Sequence, residues 1–138
     1  MKTMLVMDCS AAVAIIRKTN EGVALRALME DGEKVITSQL FLIELGSVFR
    51  KYVKSGAENQ QTATRCLERA VDLIDSFVDI SENYLEAFSE ALRLDRSPYD
   101  MFYFTLARRN AATLCTLDRA LMRLCEREGV ECIHELRL

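Results

Sequence analysis

The sequence predicts an α/β fold in three layers: a mainly parallel sheet of about five strands with helices on both faces. Two observations predict it. Short apolar runs of strand character alternate with longer helical stretches, and many of those helices open or close on recognisable capping residues. Acidic residues stand just after strand-like runs, where an open parallel sheet presents its ligand crevice. The 138 residues suit one domain, taken as 1–138, long enough to bury a core.

The elements follow in order. Met4–Met7 is a buried strand that ends at Asp8, and residues 10–17 form a helix. Asn20 caps a further helix that runs through Glu30, and Gly32 makes a turn. Residues 35–37 are the second strand, and Ser38 caps a long helix from 39 to about 54, closed by Gly56. Residues 58–75 form another helix, with Leu67, Val71 and Ile74 on one face. Residues 77–80 are the third strand, and Ser81 opens a helix to about 94. Ser97-Pro98 is a cap followed by proline at the first helical position, so a helix runs from there to 110. Residues 113–116 are the fourth strand, 119–128 a helix stopped by Gly129, and 131–133 a short last strand.

Composition narrows the class. Half of the residues are hydrophobic and 28% are charged, with one proline and five glycines, which excludes a disordered or collagen-like chain. No apolar run is long enough to span a membrane. The N-terminus lacks a signal peptide's long apolar region and cleavage site, so a cytoplasmic protein is expected. The five cysteines at 9, 66, 115, 125 and 132 are odd in number and form no CxxC pair, as suits small core residues in a reducing compartment. Cys115, Cys125, Cys132 and His134 match no zinc spacing. The net charge of −3 speaks against a nucleic-acid binder by composition alone, unless carboxylates hold divalent cations at the phosphate.

Four acids break the pattern. Asp8 directly follows the first strand and Asp118 closely follows the fourth, so both face one crevice if these strands are neighbours. Glu44 lies inside Leu40-Phe41-Leu42-Ile43-Glu44-Leu45, and Asp100 opens an apolar helix through Ala107. A carboxylate in such surroundings costs several kcal/mol unless paired or ligated. Each has a structural alternative. Asp8 and Asp118 suit helix N-caps, Asp100 suits a first helical turn, and Glu44 suits a buried ion pair. Four acids converging without basic partners would repel one another, which a hard cation such as Mg²⁺ or Mn²⁺ relieves.

The ordered set resembles PIN domains, especially the toxin halves of VapBC toxin–antitoxin pairs. The matching pieces are Val6-Met7-Asp8-Cys9-Ser10, Thr37-Ser38 followed by Glu44, Ser97-Pro98-Tyr99-Asp100 with Phe102-Tyr103 and Leu106-Ala107, and Thr116-Leu117-Asp118-Arg119. They span the chain from Met4 to about Ile133. The resemblance implies a PIN-like fold and an endoribonuclease using Mg²⁺ or Mn²⁺, whose catalytic and metal-binding acids are Asp8, Glu44, Asp100 and Asp118. Asp8 and Asp100 become the principal ligands. Glu44 ligates or positions water, and Asp118 serves a second ion or acts through water. Ser10 and Thr116 support the carboxylates by hydrogen bonding. It also implies an RNA substrate cut to leave a 5′-phosphate and a 3′-hydroxyl, an antitoxin protein partner and a homodimer.

Arg119, next to Asp118, is the residue best placed to grip RNA; Arg50, Lys51, Lys54, Arg108 and Arg109 suit solvated helix faces better. The competing reading is a non-catalytic PIN-like module that binds RNA or protein. Aspartyl phosphotransfer is disfavoured, because Ser10 stands where the haloacid-dehalogenase pattern needs a second Asp. No glycine-rich phosphate loop and no Ser–His triad motif is present.

Overall fold

Five short strands, rich in apolar and β-branched residues, pair side by side in the computed structural model, which describes residues 3–29 and 31–133. They are β1 (Met4–Met7), β2 (Lys34–Ser38), β3 (Ser76–Val78), β4 (Thr113–Cys115) and β5 (Cys132–Ile133). Every pairing is parallel and the order is β3-β2-β1-β4-β5. Parallel neighbours need crossovers, and among the described residues seven helices supply them: α1 (Cys9–Arg17), α2 (Asn20–Leu28), α3 (Leu40–Lys54), α4 (Gln60–Asp72), α5 (Tyr84–Leu94), α6 (Pro98–Arg109) and α7 (Arg119–Glu128). The chain steps one way from β1 to β3, then returns past β1 to β4, so right-handed crossovers put the two halves on opposite faces. Accordingly α1 to α4 pack on one another, while α6 lies across β1, β2 and β4 with α5 against it. The result is the three-layer α/β/α arrangement.

β1 is the axis of the core. Leu5, Val6 and Met7 are fully buried, as are Phe41 and Phe104 from helices of the two halves. No described helix is long and apolar enough to cross a membrane. Cys9, Cys115, Cys125 and Cys132 are buried in the core, as expected of small apolar residues. His134, like residues 1, 2, 30 and 135–138, lies outside the described residues.

Several boundaries moved for identifiable reasons. Thr19, not Asn20, caps α2, its hydroxyl accepting from the Gly22 N–H. Gln39 is the cap residue of α3 and makes no side-chain bond, although the Ser38 hydroxyl accepts from the Leu40 N–H at 3.2 Å. Asn59 caps α4 through the Thr62 N–H, and that helix stops at Asp72 because Asp75 is tied to the sheet. The Asp75 N–H donates to the Val35 carbonyl, and its carboxylate accepts from the Val35 N–H. After β3, Asp79 caps a single 3-10 turn over Ile80–Glu82, which delays α5 to Tyr84. Ser97 and Pro98 open α6 as the sequence requires.

The packing of α1 against α2 depends on Gly22. A β-carbon there would sit 2.0 Å from the Ala14 carbonyl oxygen and 2.3 Å from its carbon. Those are backbone atoms that cannot swing aside, so Gly22→Ala must push the helices apart. It should lower stability by about 1–3 kcal/mol in urea denaturation, whereas Gly46→Ala, which meets nothing within 4 Å, should not.

Candidate functional site

The C-terminal ends of β1 and β4 are adjacent, because Met7 pairs with Cys115 and the Asp8 N–H donates to the Cys115 carbonyl at 3.1 Å. This is the topological switch point, where crossovers leave in opposite directions and open a crevice. Asp8 stands there, 6% exposed. One carboxylate oxygen accepts from the Ala11 N–H at 3.0 Å and from the Ser10 hydroxyl at 2.7 Å. The other accepts from the Thr116 hydroxyl. Asp8 is therefore the N-cap of α1, and both its oxygens are fixed. Thr116 Oγ1 in turn accepts from the Asp118 N–H at 3.0 Å, and Ser10 Oγ accepts from the Leu117 N–H at 3.0 Å. Two hydroxyls thus tie the turn after β1 to the turn after β4. Asp118 caps α7, one carboxylate oxygen accepting from the Leu121 N–H at 3.1 Å.

The helix acids arrive differently. The Asn83 side chain helps set α6 at the start of α5, donating to the Phe102 carbonyl and the Thr105 hydroxyl. Asp100 lies in the first turn of α6 with its side chain 30% exposed, and the residues from Tyr103 to Ala107 behind it are buried. Glu44 lies on α3. Its surroundings differ from the apolar enclosure expected there: Leu42 and Ile43 are exposed, and only Leu40, Phe41, Leu45 and Phe49 point into the core. Glu44 is half-buried and accepts a hydrogen bond from the Tyr103 hydroxyl. Asp100 forms an ion pair with Arg96, Nη2 to Oδ2 at 3.0 Å. The expectation of acids without basic partners is thus corrected at Asp100.

The four acids come from β1, α3, α6 and the turn before α7, and the charge of one reaches the next. Burial pushes Asp8 up to about 6, against the pull of its hydrogen bonds to Thr116, Ala11 and Ser10, with a further rise from Asp100. Burial raises Glu44 too, opposed by the Tyr103 hydrogen bond and helped by Asp100. Asp100 is raised by burial and by Asp118, and Arg96 opposes both. The Cys9 thiol is pushed up to about 12 by burial and then by Glu44 and Asp8. This negative region is what a divalent cation relieves, and its donors are hard carboxylate oxygens, the class that Mg²⁺ and Mn²⁺ favour. The donor chemistry fits. As they stand, however, no three Asp, Glu, His or Cys side chains among the described residues are disposed to hold an ion together. Glu44 is turned onto Tyr103 and Asp100 onto Arg96.

Arg119 is exposed at the first position of α7, beside Asp118. Arg108 and Arg109 serve the fold: Arg108 pairs with Glu86 at 2.6 Å and Glu90 at 2.8 Å, and Arg109 donates to the Glu82 carbonyl. Arg50 and Lys54 line an apolar cavity between α3 and α4, with Phe49, Val53 and Leu67. Sequence reasoning missed Arg96 and Tyr103. Their spacing from Asp100, four residues before and three after, was the available signal.

The raised Asp8 has a consequence for stability. Its folded pKa of about 6 exceeds the ordinary 3.8, so the native state holds the proton more tightly. The stabilisation this gives is complete below pH 3.8 and is lost as pH rises through 6. Asp8→Asn keeps the cap and removes the buried charge. In EDTA at pH 7 it should melt higher than the parent, by at most about 3 kcal/mol, and the gain should vanish near pH 4.

A family model described as PIN domain matches residues 5–127. No curated protein matches the sequence. Among solved structures, the chain is similar to PAE2754 from Pyrobaculum aerophilum, with a TM-score of 0.72 and 22% identity over 96% of this chain and 92% of that one. It is also similar to VapBC-1 from nontypeable Haemophilus influenzae, with a TM-score of 0.66 and 12% identity, covering 97% of this chain and 99% of that one. VapBC2 from Rickettsia felis, in a structure bound to a DNA fragment from its promoter, gives 0.66 and 16% over 95% and 98%. These identities speak for the fold, and the family match spans most of the chain. On that match, and with this three-layer sheet, the chain belongs to the PIN domain family.

Proposed function

We propose that this protein is a divalent-metal-dependent endoribonuclease and the toxin member of a toxin–antitoxin pair. One observation carries the catalytic reading: the sheet order sets Asp8 and Asp118 at the adjacent ends of β1 and β4, and the charge of Asp100 on α6 bears on both Asp8 and Glu44. Asp8, Asp100, Glu44 and Asp118 would hold Mg²⁺ or Mn²⁺, and such an ion would supply Lewis-acid polarisation of a phosphodiester and a source of activated water.

The remaining work falls to the chain. Ser10, Thr116 and the Ala11 N–H fix the Asp8 carboxylate, so its direction is set before anything binds. Tyr103 holds Glu44 towards α6. Arg119, exposed beside Asp118, would meet an RNA phosphate outside the crevice. The toxin part of the proposal draws on the two similar VapBC structures. The exposed face of α5, with Leu85, Phe88 and Leu92, offers apolar surface to an antitoxin or a second copy.

A second reading has its own support. Glu44 and Asp100 already have internal partners, and no three acids among the described residues share a centre as they stand. A PIN-like module that binds RNA or protein without cutting needs nothing more.

Cleavage of a labelled structured RNA by the purified protein, with Mn²⁺, with Mg²⁺ and with EDTA, separates the two. The nuclease cuts in either metal, stops in EDTA, and gives no product as Asp100→Asn. A folded protein that cuts in none of them favours the binding module. Ser10→Ala and Thr116→Val, which remove the support of Asp8 together with a tie to the turn after β4, should each slow cleavage roughly 10–100-fold without ending it.

A further inference from the structure

Arg96 stands in the short link between α5 and α6, next to Asp95, which closes α5 in a left-handed conformation. The Arg96 N–H donates to the Ala91 carbonyl at 3.0 Å, which anchors the backbone. Its side chain is held more loosely. Nη2 makes the contact to Asp100 Oδ2 at 3.0 Å, whereas the buried Nε–H has no hydrogen-bond partner among the described residues. The Arg96 and Asp100 side chains are 24% and 30% exposed. A part-exposed pair four residues apart contributes little to stability and exchanges readily. Yet it joins a guanidinium to the acid that Asp118 raises and that itself raises Asp8 and Glu44.

We propose that Arg96 is a displaceable internal counter-ion, which competes with a divalent cation for Asp100 and so sets the concentration at which the cation loads. The inference rests on the reading of Asp100 as a cation ligand. A guanidinium does not deprotonate in a protein, so it leaves Asp100 only by moving. The hydrogen bond to Asp100 breaks when it does, and Nε has none to lose among the described residues. A doubly charged ion gains more than a singly charged one from the same carboxylates. While Arg96 remains, it offsets part of the negative field that attracts the ion. Arg96 is thus a positioning and tuning residue, distinct from the ligands.

Mn²⁺ binding to the full chain, followed by the electron-paramagnetic signal of free Mn²⁺, tests this without reference to cleavage. Arg96→Gln should bind Mn²⁺ about tenfold more tightly than the parent, the effect of removing one charge a few ångströms from a divalent ion in high-dielectric surroundings. Arg96→Lys, which keeps the charge, should stay near the parent. Equal or weaker binding by Arg96→Gln, or Arg96→Lys matching Arg96→Gln, would overturn the inference. Should Arg96→Gln lose its cooperative melt, Arg96→Met keeps the apolar stem and carries the same expectation. If the parent shows no Mn²⁺ binding that Asp100→Asn removes, the assignment of the acids fails first and the inference falls with it.

Discussion

The buried carboxylate of Asp8 is the constraint on which the rest of the crevice depends. A charge at the end of a central strand is expensive, and burial has driven its affinity for a proton well above the ordinary value. The surrounding residues are arranged around that cost. Ser10 and Thr116 each donate to the carboxylate and each accept a backbone N–H from the turn after β4. The same two hydroxyls therefore satisfy the acid and join the two strand ends. Removing either affects the acid's hydrogen bonding, its direction and the alignment of β4 on β1 together.

The sheet order explains how the charges of acids from distant parts of the chain reach one another around the central strand. β1 lies between β2 and β4, so each half of the molecule delivers one helix acid towards the central strand. α3 leaves β2 on one face and brings Glu44; α6 precedes β4 on the other and brings Asp100. Tyr103 on α6 reaches Glu44 on α3, so the two layers are connected at the rim of the sheet as well as through it. The helix acids are also the adjustable part of the set. Asp8 and Asp118 serve as caps of α1 and α7, whereas Glu44 and Asp100 are held by single side-chain contacts.

Much of this is legible in the sequence, and the remainder is hidden for physical reasons. Strand ends followed by acids are a local pattern, so the order of residues alone is enough to place Asp8 and Asp118. The cap and ligand readings weighed for them are compatible, since a cap occupies only part of a carboxylate. Glu44 is legible as an anomaly in an apolar run, but not the side of α3 it faces. Helix rotation is set by packing, which exposes Leu42 and Ile43 and turns Glu44 to Tyr103. Arg96 is hidden because its reach depends on the left-handed turn at Asp95, a conformation that aspartate tolerates but does not require. The early end of α4 reflects Asp75 being captured by β2, a contact across 40 positions that local propensity cannot express.

The hydrogen bond between Asp8 and Thr116 spans 108 positions of the chain. Asp8 leaves the ribosome well before β4, the strand that completes its surroundings. At ordinary rates of synthesis the interval between them is about 5–20 s. During that time the growing polypeptide contains Asp8 and then Glu44, but has no β4 to lay beside β1. Any chemistry that needs Thr116 against Asp8 therefore cannot begin on a nascent or truncated chain. The topology itself acts as a timer, withholding the assembled crevice until β4 and Thr116 have been made.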